Sequence, residues 1–286
     1  MKVLVLGSQG QVGRAVLARA PAGHFVNGLS RHELDLTDTA AVSGHLQRHP
    51  ADWIINCAAY TAVDAAEDDL AQATLANDAA VAGLADAARV AGSRLLHIST
   101  DFVFDGTAGR AYLPSDPVNP LSAYGRTKLG GERHALAGNG IVVRTAWVYA
   151  SAGKNFVLTM LRLMRERPEV RVVADQIGAP TWASGLAQAI WGLVGAPASA
   201  GLYHWTDLGV ASWYDFAVAI QEEALARGLL TRAVPVIPIA TADYPTKATR
   251  PGFSVLDTSS TRAIAAVPAN HWRVNLRQML DELQAP

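Results

Sequence analysis

Residues 3–13 read VLVLGSQGQVG, four apolar residues followed at once by a turn with three evenly spaced glycines, Gly7, Gly10 and Gly13. The apolar run predicts a buried strand, and the residues after the turn predict a helix. In such a unit the first glycine permits the tight turn, the second lets the backbone approach a pyrophosphate, and the third lets the helix pack on the strand. Free N–H groups at the helix start then face a negative ligand. The stretch therefore predicts a dinucleotide phosphate site, with a glycine-rich structural turn as the alternative. Its spacing is G-x-x-G-x-x-G rather than G-x-G-x-x-G.

Apolar runs alternate with helical patterns through the first half of the chain. Their apolarity is continuous, which indicates strands that are covered on both faces and hence a parallel sheet. The alternation predicts an α/β fold with a Rossmann-type doubly wound parallel sheet. The predicted strands are Val3–Leu6, His24–Leu29, Trp53–Ala59, Leu95–Ser99 and Ile141–Trp147. The predicted helices are Gln11–Arg19, Ala40–Arg48, Ala71–Val90 and Tyr124–Ala137.

After about Tyr149 the chain becomes richer in proline and tryptophan. This change predicts a smaller, interleaved C-terminal substrate domain, although Val170–Val173 is predicted as one more strand of the main sheet. The predicted ranges are 1–149 together with 170–195 for the dinucleotide-binding domain, and mainly 150–169 and 196–286 for the substrate domain.

The composition limits the class of protein. The 286 residues are 50% hydrophobic and 17% charged, as in globular proteins. With 24 basic and 25 acidic residues, the net charge of -1 favours neither nucleic acid nor an anionic membrane as partner. The single cysteine, Cys57, excludes an internal disulfide and fits a reducing compartment. The first apolar run is too short for a signal peptide. The alanine-rich stretch Ala79–Val90 is interrupted by charges, so it is not predicted to span a membrane. We therefore expect a soluble cytoplasmic protein. The expected assembly, a monomer or a homodimer, does not follow from the composition.

The end of the second strand indicates the cofactor. An acid there would hydrogen-bond the ribose of NAD, but this chain has Ser30 and Arg31. A hydroxyl and a guanidinium suit a 2′-phosphate, so NADPH is the expected cofactor. Glu33 and Asp35 follow closely, which leaves NADH open, and a solvated surface charge is the alternative interpretation of Arg31.

The third strand is followed by small residues that let a cofactor lie against the backbone. This observation makes Ala58, Ala59, Tyr60 and Thr61 predicted cofactor-binding residues. Cys57 is predicted to be an inert buried thiol.

Tyr124 and Lys128 lie four residues apart and so share one helix face. A free tyrosine has a pKa of about 10. A nearby cation, here Lys128 and an oxidised nicotinamide, favours the phenolate, so the tyrosine could exchange a proton while hydride moves to or from carbon. Thr100, at a strand end, would hold the substrate oxygen. A chance Tyr-x-x-x-Lys is the alternative, but with the upstream dinucleotide turn the pair favours hydride chemistry on a carbonyl or alcohol.

Seven strings in chain order resemble those of the dTDP-4-dehydrorhamnose reductases, a family within the extended short-chain dehydrogenase/reductase superfamily. They cover nearly the whole chain and are specific as a set, although single strings are shared with sister reductases. The strings are Gly7–Gly13, Asn56–Asp64, Ser99–Phe104, Tyr124–Lys128, Arg144–Tyr149, Asp175–Thr181 and Arg250–Ser254.

The resemblance implies NADPH-dependent reduction of the 4-keto group of dTDP-4-dehydro-β-L-rhamnose to dTDP-L-rhamnose, a nucleotide-sugar step that serves polysaccharide synthesis. It implies a triad of Thr100, Tyr124 and Lys128. The residues implied to bind the cofactor are Gly10, Gln11, Val12, Asp35, Leu36, Ala59, Tyr60 and Thr61. The residues implied or expected to contact the substrate are Thr100, Asp101 and Trp147, with Gln176 and Arg250 added from loop position and motif.

One departure from the family concerns magnesium. Some members resemble magnesium-linked dimers that use a glutamate just after the glycine turn, where this chain has Arg14 and Ala15. This difference argues against a structural magnesium and against that dimer. His45 and His49 share helical i, i+4 spacing but lack the glutamate of a zinc-protease helix, so no other metal site is predicted.

Three alternatives to this function remain. A dehydratase or epimerase of the same fold would resemble Thr-Asp-Glu at the active-site strand, whereas Phe102 follows Thr100 and Asp101 here. A sister reductase for another nucleotide sugar stays open, because fold alone does not select the substrate. A catalytically silent NADP-binding regulatory subunit would not need the tyrosine and lysine.

Overall fold

The computed structural model describes residues 1–284, which form an α/β structure. The strands are β1 (Lys2–Leu6), β2 (Phe25–Leu29), β3 (Trp53–Asn56), β4 (Arg94–Thr100), β5 (Ile141–Thr145), β6 (Val148–Tyr149), β7 (Val170–Val173), β8 (Ile177–Gly178), β9 (Thr181–Trp182), β10 (Gly201–His204), β11 (Ala211–Ser212) and β12 (Val236–Ile239). The α-helices are α1 (Gln11–Ala18), α2 (Thr39–Arg48), α3 (Ala65–Asp68), α4 (Leu70–Thr74), α5 (Ala80–Ala91), α6 (Ala123–Ala137), α7 (Phe156–Glu166), α8 (Ala183–Gly195), α9 (Trp213–Ala226), α10 (Ser259–Ala265) and α11 (Trp272–Glu282).

The central sheet has six parallel strands in the order β2-β1-β3-β4-β5-β10. Two apolar cores cover its faces, one formed with α1 and α8 and the other with α2 and α5. This double cover explains why the strands read as unbroken apolar runs. The predicted doubly wound parallel sheet is therefore confirmed. From β1 the chain continues to β2 on one side, and from β3 it continues to β4 on the opposite side.

The predicted position of Val170–Val173 is wrong. This strand pairs with Val236–Ile239 in a separate parallel pair, and its Val170 and Val172 side chains enter a third core, formed with α7, α9 and α11. The sixth strand of the central sheet is instead Gly201–His204, which pairs with β5. It lies within the range 196–286 that the sequence assigns mainly to the substrate domain. A short apolar run does not reveal which of two sheets it joins, because both offer a buried face.

Three predicted elements differ in extent. β3 ends at Asn56, whose side chain accepts a hydrogen bond from Ala58 N at 3.0 Å and turns the chain out of the sheet. β5 ends at Thr145 because Trp147 has a positive φ of 50°. The predicted helix 71–90 consists of α4, a π-helical turn over Leu75–Ala79, and α5.

None of the helices within residues 1–284 combines the length and the apolarity that a membrane crossing requires.

Candidate functional site

A cavity of about 830 Å³ opens at the carboxyl ends of the central strands. It lies beside β1 and β3, where the strand order reverses. α/β sheets of this type bind ligands at this switch point. Of the predicted site residues, all but Gly13 line it. They are Gly7, Gly10, Gln11, Val12, Ser30, Arg31, Asp35, Leu36, Ala58, Ala59, Tyr60, Thr61, Thr100, Asp101, Tyr124, Lys128, Trp147, Gln176 and Arg250.

The glycine turn leaves no room for side chains. Gly7 has a φ of +73°, and a Cβ there would lie 2.7 Å from Ala58 N. A Cβ on Gly13 would lie 2.2 Å from Gly7 O, so Gly13 allows α1 to approach the turn from behind the cavity. Gly10 is the N-cap residue of α1 and offers no side-chain cap, and the first helical turn carries no acidic residue. The N–H groups of this turn are therefore available to an anion in the cavity.

The loop after β2 keeps its two acids engaged. Ser30 donates to Glu33 Oε2 from its backbone N at 2.8 Å and from its hydroxyl at 2.7 Å. Asp35 accepts from Thr37 N at 3.0 Å and from Arg31 Nε at 3.2 Å, and the Thr37 backbone contact is the main factor lowering the pKa of Asp35. The Arg31 side chain is 74% exposed at the cavity wall. The loop thus offers a guanidinium, with both carboxylates turned to neighbours within the loop.

Asn77, in the π-helical turn, connects the loop after β3 to α6. Its buried side chain accepts from Tyr60 N at 2.8 Å, and donates to Tyr60 O at 3.0 Å and to Thr127 Oγ1 at 3.2 Å. Insertion of a π turn is common at functional sites, because it redirects one side chain out of the helical repeat. Sequence reasoning missed this residue. The available signal was an amide within an alanine-rich helix, which has to find partners once it is buried.

Thr100 ends β4 and Asp101 follows it, and both lie beside the phenol of Tyr124. Thr100 Oγ1 donates to Asp101 Oδ1 at 3.0 Å and accepts from Phe102 N at 3.2 Å. Burial raises the pKa of Asp101 to about 6, against hydrogen bonds that lower it. The Phe102 ring meets that of Tyr124 edge-on, with centroids 5.7 Å apart. The arrangement brings a hydroxyl, a carboxyl group and a phenol to one place in the cavity wall.

Lys128 is buried behind this group. Its Nζ donates to Ile98 O at 2.7 Å and lies 3.2 Å from His97 Nε2. Burial lowers the pKa of Lys128 to about 8, while the Glu132 carboxylate acts in the opposite direction. The pKa of His97 is also held well below its usual range, first by burial and then by Lys128. His97 is therefore a neutral imidazole next to an ammonium that can release a proton near neutral pH.

The sequence predicts a lowered pKa for Tyr124, whereas its surroundings in the protein shift this pKa upwards. Burial raises the pKa of Tyr124 to about 12. The Thr100 side chain lowers it and the Asp101 carboxylate raises it, but both effects are smaller than that of burial. The phenol is therefore protonated, which is the form that can give a proton to an oxygen atom.

Trp147 forms an aromatic wall together with Trp213, a residue that sequence reasoning missed. The two rings stack with centroids 3.5 Å apart and an interplanar angle of 7°. Gly178 lies against the same indole, since a Cβ there would be 2.7 Å from Trp147 Cε2. The positive φ of Trp147 is a strained conformation for a bulky residue, of the kind that clusters at ligand sites.

Gln176 and Arg250 line the cavity but already have partners. Gln176 Nε2 donates to Thr241 Oγ1 at 3.1 Å, and Arg250 Nη2 donates to Asp64 Oδ2 at 2.7 Å. Lys154, which the sequence did not single out, also lines the cavity and is tied to the glycine turn through Gln11 Nε2, which donates to Lys154 O at 3.3 Å.

Three buried polar atoms in the cavity wall have no hydrogen-bond partner within residues 1–284. They are Ser99 Oγ, Asp101 Oδ2 and Thr145 Oγ1. Buried polar atoms are rarely left unpaired, so these atoms indicate a polar ligand. With the uncapped start of α1 and the tight glycine turn, they fit a dinucleotide and a hydroxyl-bearing substrate. Within residues 1–284, no cluster of three or more His, Cys, Asp or Glu side chains could hold a metal ion.

Known proteins resemble this chain over almost its whole length. The family model described as RmlD substrate binding domain matches residues 1–285. The chain is 42% identical to the dTDP-4-dehydrorhamnose reductase of Burkholderia thailandensis over 96% of each protein. It is 40% identical to the dTDP-4-keto-6-deoxy-D-glucose reductase of Streptomyces niveus, over 99% of this chain and 97% of that protein. A crystal structure of dTDP-4-dehydrorhamnose reductase from Bacillus anthracis in complex with NADP is 32% identical, has a TM-score of 0.92, and is matched over 98% of this chain and 99% of that one.

Proposed function

The chain belongs to the RmlD substrate binding domain family, and from this membership we propose that it reduces dTDP-4-dehydro-β-L-rhamnose to dTDP-L-rhamnose with NADPH. The observation that carries the proposal is the cavity itself, because the glycine turn lines the same cavity as Thr100, Tyr124 and Lys128. The named activities of relatives in Burkholderia thailandensis and Bacillus anthracis support it.

We assign the residues as follows. The bound nicotinamide supplies hydride to the C4 carbon of the sugar. Tyr124 donates its phenolic proton to the carbonyl oxygen, which becomes the product alcohol. Thr100 holds that oxygen, and the Lys128 ammonium stabilises the phenolate that forms. The unpaired Asp101 Oδ2 accepts a hydrogen bond from a sugar hydroxyl, and Trp147 packs against the apolar face that carries the methyl group.

The residues assigned to the cofactor divide by position. The first turn of α1, with Gln11 and Val12, binds the pyrophosphate through N–H groups. Leu36 flanks the adenine, and the loop from Ala58 to Thr61 lies along the nicotinamide half. Gln176 and Arg250 contact the nucleotide diphosphate of the substrate, for which Arg250 exchanges its present carboxylate partner.

The proposal is tested by measuring NADPH oxidation by the purified protein with dTDP-4-dehydrorhamnose. We expect roughly 1–10³ turnovers per second, the usual range for enzymes. The same assay with dTDP-4-keto-6-deoxy-D-glucose separates the proposed substrate from that named for the Streptomyces niveus relative. Turnover only with the second sugar would favour the sister reductase. Tight NADPH binding without turnover of either sugar would favour a regulatory subunit.

Arg31→Ala is expected to weaken NADPH binding by roughly 10- to 100-fold and NADH binding by much less. The reason is the loss of a charge-assisted hydrogen bond to the 2′-phosphate, worth about 1.5–3 kcal/mol. Fluorescence titration of both nucleotides measures the two affinities. Arg89→Ala is the control, because Arg89 is similarly exposed but lies on α5 outside the cavity. Equal weakening of NADPH and NADH would show that Arg31 is only a surface charge.

Gly178→Ala is expected to raise the KM for the nucleotide sugar by about tenfold without changing NADPH affinity. The new methyl would displace the Trp147 indole, and such overpacking typically costs about 1–3 kcal/mol. Steady-state kinetics with each substrate varied in turn measures the effect. Gly44→Ala is the control, since no atom lies within 4 Å of a Cβ built there. An unchanged KM would contradict the assignment of Trp147 to the sugar.

A further inference from the structure

His97 lies on β4 and has no contact with solvent. Its two ring nitrogens face different partners. Nδ1 lies 3.1 Å from Asn56 Nδ2, and Nε2 lies 3.2 Å from Lys128 Nζ. The ring thus connects the polar end of β3 to the lysine of the predicted triad.

The hydrogen bonds of Asn56 select one tautomer of this imidazole. Asn56 Oδ1 accepts from Ala58 N at 3.0 Å, so the amide nitrogen is the atom that faces His97. An amide nitrogen only donates, and His97 Nδ1 must therefore accept. In a neutral imidazole the remaining proton then sits on Nε2. His97 consequently presents an N–H group to Lys128.

An ammonium has no lone pair with which to accept that N–H, whereas an uncharged amine has one. The amine accepts from His97 Nε2 and donates to Ile98 O, which satisfies both contacts of Lys128 Nζ. We propose that His97 is a positioning residue that favours the uncharged amine of Lys128 and so eases proton release from this lysine during reduction. The proposal deepens the function proposed above and rests on it for its catalytic meaning.

The other titratable groups near Lys128 either favour the ammonium or are uncharged. Glu132, one turn further along α6, favours the ammonium, but it forms a bidentate pair with Arg144 of β5. The Cys57 thiol, after β3, is neutral because burial raises its pKa to about 12. Tyr124, on the same face of α6, is protonated for the same reason. His97, on β4, therefore acts together with burial against the attraction of Glu132.

The proton balance of the reduction gives this preference a use. The carbonyl carbon gains hydride and its oxygen gains the Tyr124 proton, which leaves a phenolate. An ammonium that releases its proton restores the phenol and becomes an amine, which later takes a proton from solvent. A donor that stabilises the amine makes this release easier, provided that it stays fixed in one tautomer.

The first test is the tautomer, measured in the wild-type protein by ¹⁵N NMR after labelling its 8 histidines. We expect a protonated Nε2 and an unprotonated Nδ1 for His97, assigned by its contacts and by its absence in His97→Gln. A protonated Nδ1 would overturn the proposal. This readout needs neither substrate nor turnover. The tautomer prediction can therefore fail while the proposed function holds, and the proposed function can fail while the tautomer prediction holds.

The second test is the pH dependence of kcat for NADPH oxidation. Wild type is expected to lose activity as pH rises through the Lys128 pKa of about 8, since the ammonium is then lost. In His97→Gln a carbonyl oxygen can accept from the ammonium, and the basic limb should move up by about one pH unit, a tenfold change in the dissociation constant. His204→Gln is the control, because His204 is equally buried on β10 but contacts Tyr112 O outside the cavity. An unmoved or lowered basic limb in His97→Gln would overturn the proposal. If the His97→Gln variant does not fold, His97→Asn is measured in its place.

Discussion

Tyr124→Phe is expected to lower kcat by about 100-fold or more while NADPH affinity stays near that of wild type. The substitution keeps the aromatic ring and its edge-on contact with Phe102, and it removes only the hydroxyl group that carries the proton. NADPH oxidation measures kcat, and fluorescence titration measures the affinity.

Tyr203→Phe is the matched control for this experiment. Tyr203 lies on β10, away from the cavity, and its hydroxyl donates to Ser199 O at 2.8 Å. The substitution therefore also removes one phenolic hydroxyl. We expect its kcat to remain near that of wild type. A kcat of Tyr124→Phe close to that of Tyr203→Phe would contradict the assignment of Tyr124 as the proton donor.

The raised pKa of Tyr124 is compatible with this role. A phenol with a pKa of about 12 holds its proton until the carbonyl oxygen becomes basic during hydride transfer. The sequence led us to expect a lowered pKa, because Tyr-x-x-x-Lys shows a cation on the same helix face but shows nothing of burial. In the structure the same enclosure lowers the pKa of Lys128, and so weakens the cation that was expected to act on Tyr124.

Local pattern was sufficient for the part of the fold that carries the phosphate turn. The strand, turn and helix at residues 2–18 appear where glycine spacing and apolarity place them. Local pattern failed where an element's partner lies far along the chain. Gly201–His204 and Val170–Val173 are both only four residues long, and tertiary packing decides which of them completes the central sheet.

The same limit applies to the candidate site. Strand ends after β1, β3 and β4 meet at one edge of a parallel sheet, so residues such as Thr100 and Ala58 could be placed together from sequence. Trp213 and Asn77 could not, since neither of them follows a strand of the central sheet. Trp213 is held by the Ser212–Asp215 capping box at the start of α9, and Asn77 by a π turn inside an apparently regular helix.

Glu132→Gln is expected to lower the free energy of unfolding by about 3–5 kcal/mol, the usual result of breaking one side of a buried ion pair. Arg144 Nε and Nη2 donate to the two Glu132 oxygens at 2.8 and 2.7 Å, and the two side chains are only 2% and 1% exposed. A neutral amide leaves the guanidinium charged, enclosed and uncompensated. Urea unfolding followed by circular dichroism measures the loss.

Glu166→Gln is the control for this loss, because Glu166 pairs with Arg162 at 2.9 Å on the exposed surface of α7. Exposed pairs contribute about 0–1 kcal/mol, so the two substitutions remove similar contacts with very different consequences. The double variant Glu132→Leu with Arg144→Met should recover much of the stability, since it leaves no unpaired charge. A loss in Glu132→Gln no larger than that in the control would contradict this account of the pair.

The same substitution links stability to catalysis. Glu132 raises the pKa of Lys128, so its neutralisation should lower that pKa below about 8 and move the basic limb of the kcat profile to lower pH. His97→Gln should move the limb the other way, because it replaces a donor to the amine by an acceptor from the ammonium. Opposite shifts from two residues on different sides of Lys128 would identify that amine as the titrating group. Shifts in the same direction would contradict the assignment of the limb to Lys128, and two shifts to lower pH would also overturn the role proposed for His97.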